Sequence, residues 1–294
     1  MTIAEQLADG PVVLDGGLST ALEARGHDLS GLLWSARLLR EAPGELVAAH
    51  RSFVDAGAQV VITASYQASH AGYRAAGLTD EQCDADLDAS VLLAREAAGD
   101  RALVAASVGP YGAHLADGSE YTGYPDVNRA RLRDFHARRL ERLVAAEPDV
   151  VAVETLPEVL EAEVVVALLE ELAPELAYWV SFSATEGARV TGGASFAEAA
   201  TVAGPGAVAV GVNCTAPQHV DALLESATAS VPFVVYPNAG ATYDASTKTW
   251  TADGTTTFPA QTVQGWRDRG ALLIGGCCGI DVDGVRSIAD AVDG

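Results

Sequence analysis

Short apolar runs alternate with longer amphipathic stretches along the whole chain. Each run is nearly continuous in Val, Ile, Leu and Ala, which is typical of parallel strands that are buried on both faces. These runs predict strands at residues 12–14, 60–63, 103–108, 150–153, 179–182, 207–212, 233–236 and 272–274. The intervening stretches have apolar residues at helical spacing. They predict helices at residues 43–55, 81–98, 127–146, 158–172, 218–226, 260–269 and 282–292, with a weaker one at 195–202.

Strands that alternate with helices in this way predict a (β/α)8 TIM barrel of the α/β class. A doubly wound open sheet is the alternative, but eight parallel strands with a glycine-rich end to the last one favour closure. The chain has no low-complexity linker and no short-period repeat, so residues 1–294 are expected to form a single barrel domain.

Two predicted connections, residues 109–125 and 238–259, are longer than a barrel requires. Long loops that follow strands commonly carry functional residues. The alternative is that they are surface excursions without a role.

Acidic residues far outnumber basic ones, and the formal net charge is −22. Such a surface repels nucleic acid and anionic membranes, so neither is expected as a partner. Residues 1–10 lack the basic segment and apolar run of a signal peptide, and no stretch reaches the ~20 apolar residues that span a bilayer. The sequence therefore predicts a soluble, cytoplasmic protein whose four cysteines are thiols or metal ligands rather than disulfides.

Three of the cysteines follow predicted strands. Cys214 follows the sixth strand, and Cys277 and Cys278 follow the eighth. The carboxyl ends of barrel strands share one rim, where the active sites of this fold lie, so the three sulfurs are expected to converge. Zinc binds thiolates tetrahedrally, and a catalytic zinc keeps one of its four positions open. Three cysteines fit that pattern.

The spacing alone leaves other interpretations of these cysteines open. Adjacent residues of a regular strand point to opposite faces, so binding one metal requires a local kink, which Gly275, Gly276 and Gly279 would allow. The alternatives to zinc are buried cysteines that act as small apolar residues, and a redox-active vicinal pair. Cys83 lies in a predicted helix and is expected to be an ordinary helix residue.

Two carboxylates and several aromatic residues also stand near predicted strand ends. Asp15 and Glu154 follow the first and fourth strands, where they would suit a substrate ammonium group; capping of nearby backbone amides is the alternative. Four aromatic residues would offer faces to a cationic ligand, although core packing is the default expectation for each. They are Trp34, Tyr66, Tyr111 and Tyr236. His114 is expected to be solvated, and we find no dinucleotide, phosphate-loop or nucleophile-elbow motif.

Taken in order, the segments at the strand ends resemble the homocysteine S-methyltransferase family. The matching segments are Asp15-Gly16-Gly17, Thr63-Ala64-Ser65-Tyr66-Gln67-Ala68, Ser107-Val108-Gly109-Pro110-Tyr111-Gly112, Glu154-Thr155-Leu156-Pro157, Gly211-Val212-Asn213-Cys214, Val235-Tyr236-Pro237-Asn238, Ser246-Thr247-Lys248-Thr249-Trp250 and Gly275-Gly276-Cys277-Cys278. They cover nearly the whole chain, and Asn-Cys followed by a late Gly-Gly-Cys-Cys is a specific combination.

The resemblance implies a barrel that transfers a methyl group from a sulfonium or ammonium donor to homocysteine, which gives methionine. It implies that Cys214, Cys277 and Cys278 hold a catalytic zinc ion and that the homocysteine sulfur takes the open position. The thiolate would attack the methyl carbon in line, and a sulfonium donor would leave as a neutral thioether.

The resemblance also implies a set of substrate-binding residues. Asp15 and Glu154 would hold the homocysteine amino group. Tyr66 would lie near the metal, and Trp34 would contact the donor. The full expected set is Asp15, Gly16, Trp34, Tyr66, Tyr111, Glu154 and Asn213.

The donor and acceptor are less narrowly implied. The segments around Tyr66, Tyr111 and Lys248 resemble the branch that uses S-methylmethionine or S-adenosylmethionine. Betaine as donor, and selenocysteine or another thiol as acceptor, are alternatives with the same chemistry. Two alternatives lie outside methyl transfer: a zinc- or thiol-binding protein without turnover, and a redox protein. About one helix follows Cys278, so the C-terminal assembly arm of betaine-using relatives is not expected, and a monomer or weak dimer is.

Overall fold

Eight parallel strands form a single sheet in the computed structural model, which describes residues 1–29, 31, 33–124, 126–202, 204–240, 243–244, 249–250 and 254–294. The strands are β1 (Val12–Val13), β2 (Val60–Ile62), β3 (Leu103–Val108), β4 (Val150–Leu156), β5 (Tyr178–Phe182), β6 (Ala207–Asn213), β7 (Phe233–Tyr236) and β8 (Ala271–Ile274). Each strand pairs with its neighbours in chain order, and β1 pairs with β8. A parallel bridge between Leu14 and Val60 joins β1 to β2. The predicted single-domain (β/α)8 barrel is thereby confirmed.

Helices connect the strands. The α-helices are α1 (Ile3–Asp9), α2 (Leu18–Ala24), α3 (Leu38–Glu41), α4 (Pro43–Asp55), α5 (His70–Ala75), α6 (Asp80–Ala98), α7 (Arg129–Ala145), α8 (Val159–Leu172), α9 (Phe196–Ala199), α10 (Pro217–Ser226), α11 (Ala260–Asp268) and α12 (Val282–Asp293). Short 3-10 helices span Trp34–Arg37, Tyr111–Leu115, Ser119–Tyr121 and Ala200–Val202. None of the helices in the described part of the chain combines the length and apolar character that a membrane span requires.

The predicted helix and strand boundaries agree closely with the structure, and the differences have local causes. Strand β4 continues to Leu156, because Leu156 pairs with Phe182 beyond an irregularity in the β4–β5 register. Helix α1 is too short to show a full hydrophobic period, but a capping box between Thr2 and Glu5 starts it. The weak prediction at 195–202 corresponds to α9 and the 3-10 turn that follows it.

The long connections contain short regular elements. The first connection contains the 3-10 helices Tyr111–Leu115 and Ser119–Tyr121, and Tyr121 reaches the pocket at the carboxyl ends of the strands. The second connection contains an antiparallel pair, Tyr243–Asp244 with Thr249–Trp250. Residues 245–248, which include Lys248 of the family resemblance, lie outside the described residues.

Side chains pack on both faces of the barrel sheet, as the continuous apolar strands predict. One cluster fills the barrel interior with Trp179, Leu14, Val60 and Leu273, and Ile3 of α1 joins it. A larger cluster lies between the sheet and the surrounding helices. Strand residues alternate between these two apolar clusters. The polar residues that follow each strand lie outside both clusters, at the carboxyl end of the barrel.

Candidate active site

A pocket that is partly open to solvent lies at the carboxyl ends of the strands. Nine residues predicted for the site line it. They are Asp15, Gly16, Trp34, Tyr66, Glu154, Asn213, Cys214, Cys277 and Cys278. The barrel therefore brings together residues from β1, β2, β4, β6 and β8 that are distant in sequence, as expected for this fold.

The three cysteine sulfurs converge in this pocket. Their Sγ atoms all lie within 4.8 Å of one another, and the Sγ atoms of Cys214 and Cys278 are 3.5 Å apart. Strand β6 pairs with β7 up to Asn213 opposite Tyr236, so the chain leaves β6 at Cys214. Cys214 has a φ of 47°, an uncommon backbone conformation for a non-glycine residue. Such conformations are enriched at functional sites, where the surrounding structure holds them.

The kink that the vicinal pair requires is present. Strand β8 ends at Ile274, so Cys277 and Cys278 lie in a turn rather than on a pleated strand. The amide of Ile280 donates to the carbonyl of Cys277, and Gly279 adopts a φ of 83°. Glycine enters this region without steric cost, and the turn allows both sulfurs to approach Cys214.

The cysteine cluster favours one thiolate even before a cation binds. Hydrogen bonds from Cys277 and Cys278 hold the pKa of Cys214 well below its usual range. The same contacts with Cys214 raise the pKa of the other two thiols. A bound metal ion deprotonates coordinating thiols outright, so three thiolates would be available to a soft divalent ion. The predicted metal ligands are thus brought together with suitable chemistry.

The two carboxylate oxygens of Asp15 differ in their surroundings. Its Oδ2 accepts a hydrogen bond from the amide of Ile62 at 2.8 Å, which is the capping role considered for it. Its Oδ1 is buried and has no hydrogen-bond partner among the described residues. Burial raises the pKa of Asp15 well above its usual range, and Glu154 raises it further. Buried polar atoms are nearly always paired, so this oxygen is suited to a ligand donor.

Glu154 is held in the pocket by two hydroxyl groups. Ser107 Oγ donates to its Oε1, and the Tyr236 hydroxyl donates to its Oε2 at 3.0 Å. Burial raises the pKa of Glu154 to about 7, although these hydrogen bonds favour its charged form. Among the described residues, no lysine, arginine or histidine side chain lines the pocket beside these two carboxylates.

Asn213 lines the pocket, but its side chain also holds residues of β4 and β5. Its Oδ1 accepts hydrogen bonds from the amide of Thr155 at 2.7 Å and from Ser181 Oγ at 2.8 Å. Its Nδ2 donates to Thr155 Oγ1 at 2.7 Å. Thr155 has a φ of 60° and directly follows Glu154. Asn213 therefore stabilises the backbone that carries the Glu154 carboxylate.

Tyr111, which the family resemblance implies binds substrate, does not line this pocket. The Tyr111 amide donates to the buried Glu161 carboxylate at 2.6 Å, which fixes the start of its 3-10 helix. The Tyr111 ring packs against Phe135 and Tyr124, with centroids 5.1 and 5.4 Å away. Core packing, the default expectation, is therefore the role that its contacts support. Tyr236 has a packing role and a role in the pocket. Its ring packs against Trp179 inside the barrel, and its hydroxyl group donates a hydrogen bond to Glu154.

Tyr121 lies beside the cysteine cluster, although the sequence does not distinguish it as a site residue. Its hydroxyl oxygen lies 3.3 Å from Cys214 Sγ, and its side chain lines the pocket. The available signal was its place in a long loop after a strand. That signal is shared by Tyr111 and Tyr124, so sequence alone does not choose among them.

Fold and site together define a barrel with three cysteines that could hold a metal ion at the carboxyl ends of its strands. The chain matches the family model for homocysteine S-methyltransferases over residues 12–292. It is 45% identical to homocysteine S-methyltransferase 4 of Zea mays, covering 97% of this chain and 90% of that protein. It is 38% identical to homocysteine S-methyltransferase YbgG of Bacillus subtilis, covering 95% and 93%.

A solved structure agrees with these sequence matches. The homocysteine methyltransferase MmuM from Escherichia coli, in its metallated form, superposes with a TM-score of 0.86 at 36% identity, covering 97% of this chain and 98% of that chain. The chain belongs to the homocysteine S-methyltransferase family, a family of methyltransferase enzymes. The family resemblance of the strand-end segments is thereby confirmed.

Proposed function

We propose that this enzyme transfers a methyl group from a sulfonium donor, S-methylmethionine or S-adenosylmethionine, to the thiol of L-homocysteine, with Zn²⁺ held by Cys214, Cys277 and Cys278. The observation that carries the proposal is the convergence of three cysteine sulfurs beside two buried carboxylates in one rim pocket. The names of the relatives in Zea mays and Bacillus subtilis support homocysteine as the acceptor.

The geometry of the sulfurs suits zinc. Zn–S bonds of about 2.3 Å at tetrahedral angles place sulfur ligands roughly 3.8 Å apart. The sulfurs here lie within 4.8 Å of one another, so small side-chain movements suffice. Three protein ligands leave one position for a substrate, and zinc lowers the pKa of a thiol that binds there so that it is a thiolate at neutral pH.

The two carboxylates then select the amino acid part of homocysteine. An ammonium group offers three N–H donors, and Asp15 Oδ1 is an acceptor without a partner in the part of the chain that the structure describes. Glu154 is held by Ser107 and Tyr236, so its position does not depend on the ligand. A cation between Asp15 and Glu154 removes their mutual repulsion, and it favours the charged form of both.

The charge of the pocket favours a cationic donor. Its carboxylates and cysteine thiolate create a negative region, which attracts a sulfonium ion. Trp34 and Tyr66 line the same pocket and offer aromatic faces to such a cation. Because a sulfonium leaves as a neutral thioether, the transfer step needs no general acid. The task of the chain is to hold the acceptor and donor in line, which is worth several kcal/mol, up to roughly 7–11 in the best cases.

A panel of methyl donors tests the proposal. Zinc-loaded, reduced protein is incubated with homocysteine and each donor, and methionine is quantified by mass spectrometry. We expect the highest kcat/KM with a sulfonium donor and little product with betaine. Zinc and homocysteine binding without methionine from any donor would instead indicate a binding protein. A disulfide between Cys277 and Cys278 with no zinc uptake under reducing conditions would indicate a redox protein.

A further inference from the structure

Arg139 is a charged residue of α7 that lies fully buried behind the pocket. Arginine is rarely buried without partners. Its Nη1 donates to the carbonyl of Gly109 at 2.8 Å, and its Nη2 donates to the carbonyls of Ser65 at 2.8 Å and Tyr66 at 2.6 Å. No carboxylate in the described part of the chain forms an ion pair with it. Its hydrogen bonds thus go to backbone at the ends of β2 and β3.

Gly109 forms the second half of this arrangement. A Cβ atom at Gly109 would lie 2.6 Å from the carbonyl oxygen of Tyr66 and 2.6–2.7 Å from two atoms of its ring. Contacts this short do not occur, so the Tyr66 ring and carbonyl can rest on Gly109 only because glycine lacks a side chain. Tyr66 is therefore held from two sides, by the guanidinium of Arg139 and by the bare backbone of Gly109.

We infer that Arg139 and Gly109 form a clamp that positions Tyr66 in the active-site pocket, and that both are positioning residues for methyl transfer. The inference rests on the proposed function, because the proposed function has the aromatic face of Tyr66 contact the methyl donor. The clamp ties the two strand ends to α7, which packs against α6 and α8 and buries Leu132, Leu140 and Leu143 in the helix layer. Movement of the Tyr66 backbone thus requires that buried hydrogen bonds from Arg139 be broken.

The guanidinium group is required for this geometry. A planar fork with five N–H donors bridges three carbonyl oxygens at once, whereas a lysine ammonium is a compact point charge on a flexible stem. Burial lowers the pKa of Arg139 to about 10, so the group stays charged at neutral pH. Arg139→Lys keeps the charge and loses the bridging geometry, which makes it an informative variant.

The test compares Arg139→Lys with Arg138→Lys, the next residue of the same helix. Arg138 is exposed and pairs with Asp80 and Asp84 at the surface. We expect Arg139→Lys to lower kcat/KM for homocysteine on the order of 10–100-fold, because small displacements of a site cost this much. Homocysteine affinity, measured by calorimetry on zinc-loaded protein, should fall as well, because Tyr66 lines the pocket together with the cysteines and carboxylates that are proposed to bind homocysteine. Arg138→Lys should leave both unchanged.

A double-mutant cycle separates positioning from a general loss of stability. Tyr66→Phe is introduced into the native and the Arg139→Lys proteins, and its effects on kcat and KM are compared. If Arg139 acts through Tyr66, the phenylalanine substitution should cost several-fold less in the Arg139→Lys protein. Equal effects of Tyr66→Phe in both proteins would overturn the inference, whatever the change in thermal stability.

Gly109→Ala provides an independent variant that leaves Arg139 intact. It displaces Tyr66 by direct contact, so it should reproduce the kinetic defect of Arg139→Lys. Gly44→Ala is its control, because a Cβ atom there meets nothing within 4 Å. Native kinetics and native homocysteine affinity in Gly109→Ala would also overturn the inference. If the native protein forms no methionine, the proposed function fails, while the homocysteine affinities of these variants still test the clamp.

Discussion

Buried carboxylates occur in two regions of this molecule, the rim pocket and the helix layer. Glu154 in the rim pocket has a pKa raised to about 7, and Glu161 between α7 and α8 has a pKa raised to about 8. Desolvation is the main cause of both shifts. Glu161, however, accepts hydrogen bonds from the Tyr111 amide and from His136 Nε2 at 2.7 Å, and it does not line the rim pocket. A raised pKa therefore marks a functional residue only where a cavity and convergent groups accompany it.

The cysteines repeat this contrast. Cys83 on α6 is buried in the apolar cluster of the helix layer, and burial raises its pKa to about 12. Cys214 is buried too, but two neighbouring thiols lower its pKa. The same side chain is an inert core residue in one region and a candidate metal ligand in the other, because only the rim brings several sulfurs together.

The largest expected effect comes from the cysteines. We predict that Cys214→Ser, Cys277→Ser or Cys278→Ser abolishes stoichiometric zinc binding and methionine formation, because each removes one of three metal ligands. Unbound metal is removed by dialysis against metal-free buffer, and the zinc content of the protein is then measured by plasma mass spectrometry. Cys83→Ala is the control, and it should keep zinc and activity while costing roughly 1 kcal/mol of folding stability. Full zinc occupancy in the serine variants would break the comparison.

The next largest effect separates the two buried glutamates. Glu154→Gln should weaken homocysteine binding by roughly 2–5 kcal/mol, as expected when one partner of a buried charge pair is removed. Glu161→Gln should lower folding stability and leave homocysteine affinity near the native value. Calorimetry and thermal melting measure the two quantities. The assignment of Glu154 to the amino group is wrong if both variants bind homocysteine equally well.

A pH profile sharpens the same contrast. Glu154 binds an ammonium group only as a carboxylate, and its raised pKa of about 7 means that it is protonated below that pH in the free enzyme. We therefore expect kcat/KM for homocysteine to fall as the pH drops through about 7, since kcat/KM reports groups of the free enzyme. A profile that stays flat through this range would show that Glu154 does not need to be ionised.

The smallest effect distinguishes two tyrosines of the same loop. Tyr121→Phe removes a hydroxyl that lies 3.3 Å from Cys214 Sγ. We expect kcat/KM to fall by an amount equivalent to about 1 kcal/mol of transition-state stabilisation, the typical net contribution of one hydrogen bond. Tyr124→Phe serves as the control, because its ring packs against Tyr111 rather than lining the pocket. Equal effects of the two substitutions would remove the special role of Tyr121.

The sequence by itself determined the barrel and most of the rim. Continuous Val- and Ile-rich runs can be satisfied only by strands covered on both faces, so the positions of β1 to β8 follow from local pattern. Parallel strands place their carboxyl ends together, and this rule alone brings Cys214 beside Cys277 and Cys278. Asp15 and Glu154 were identified for the same reason.

Tertiary structure decided what the loops do and which buried groups support the site. Tyr111 and Tyr121 lie in one loop, and a hydrogen bond that the Tyr111 amide donates to Glu161 helps set which of them faces the cysteine cluster. Arg139 reaches carbonyl groups 30 to 74 residues away in sequence. Contacts of this kind depend on how the helices pack on the sheet, and side-chain packing has no periodic signature in the sequence.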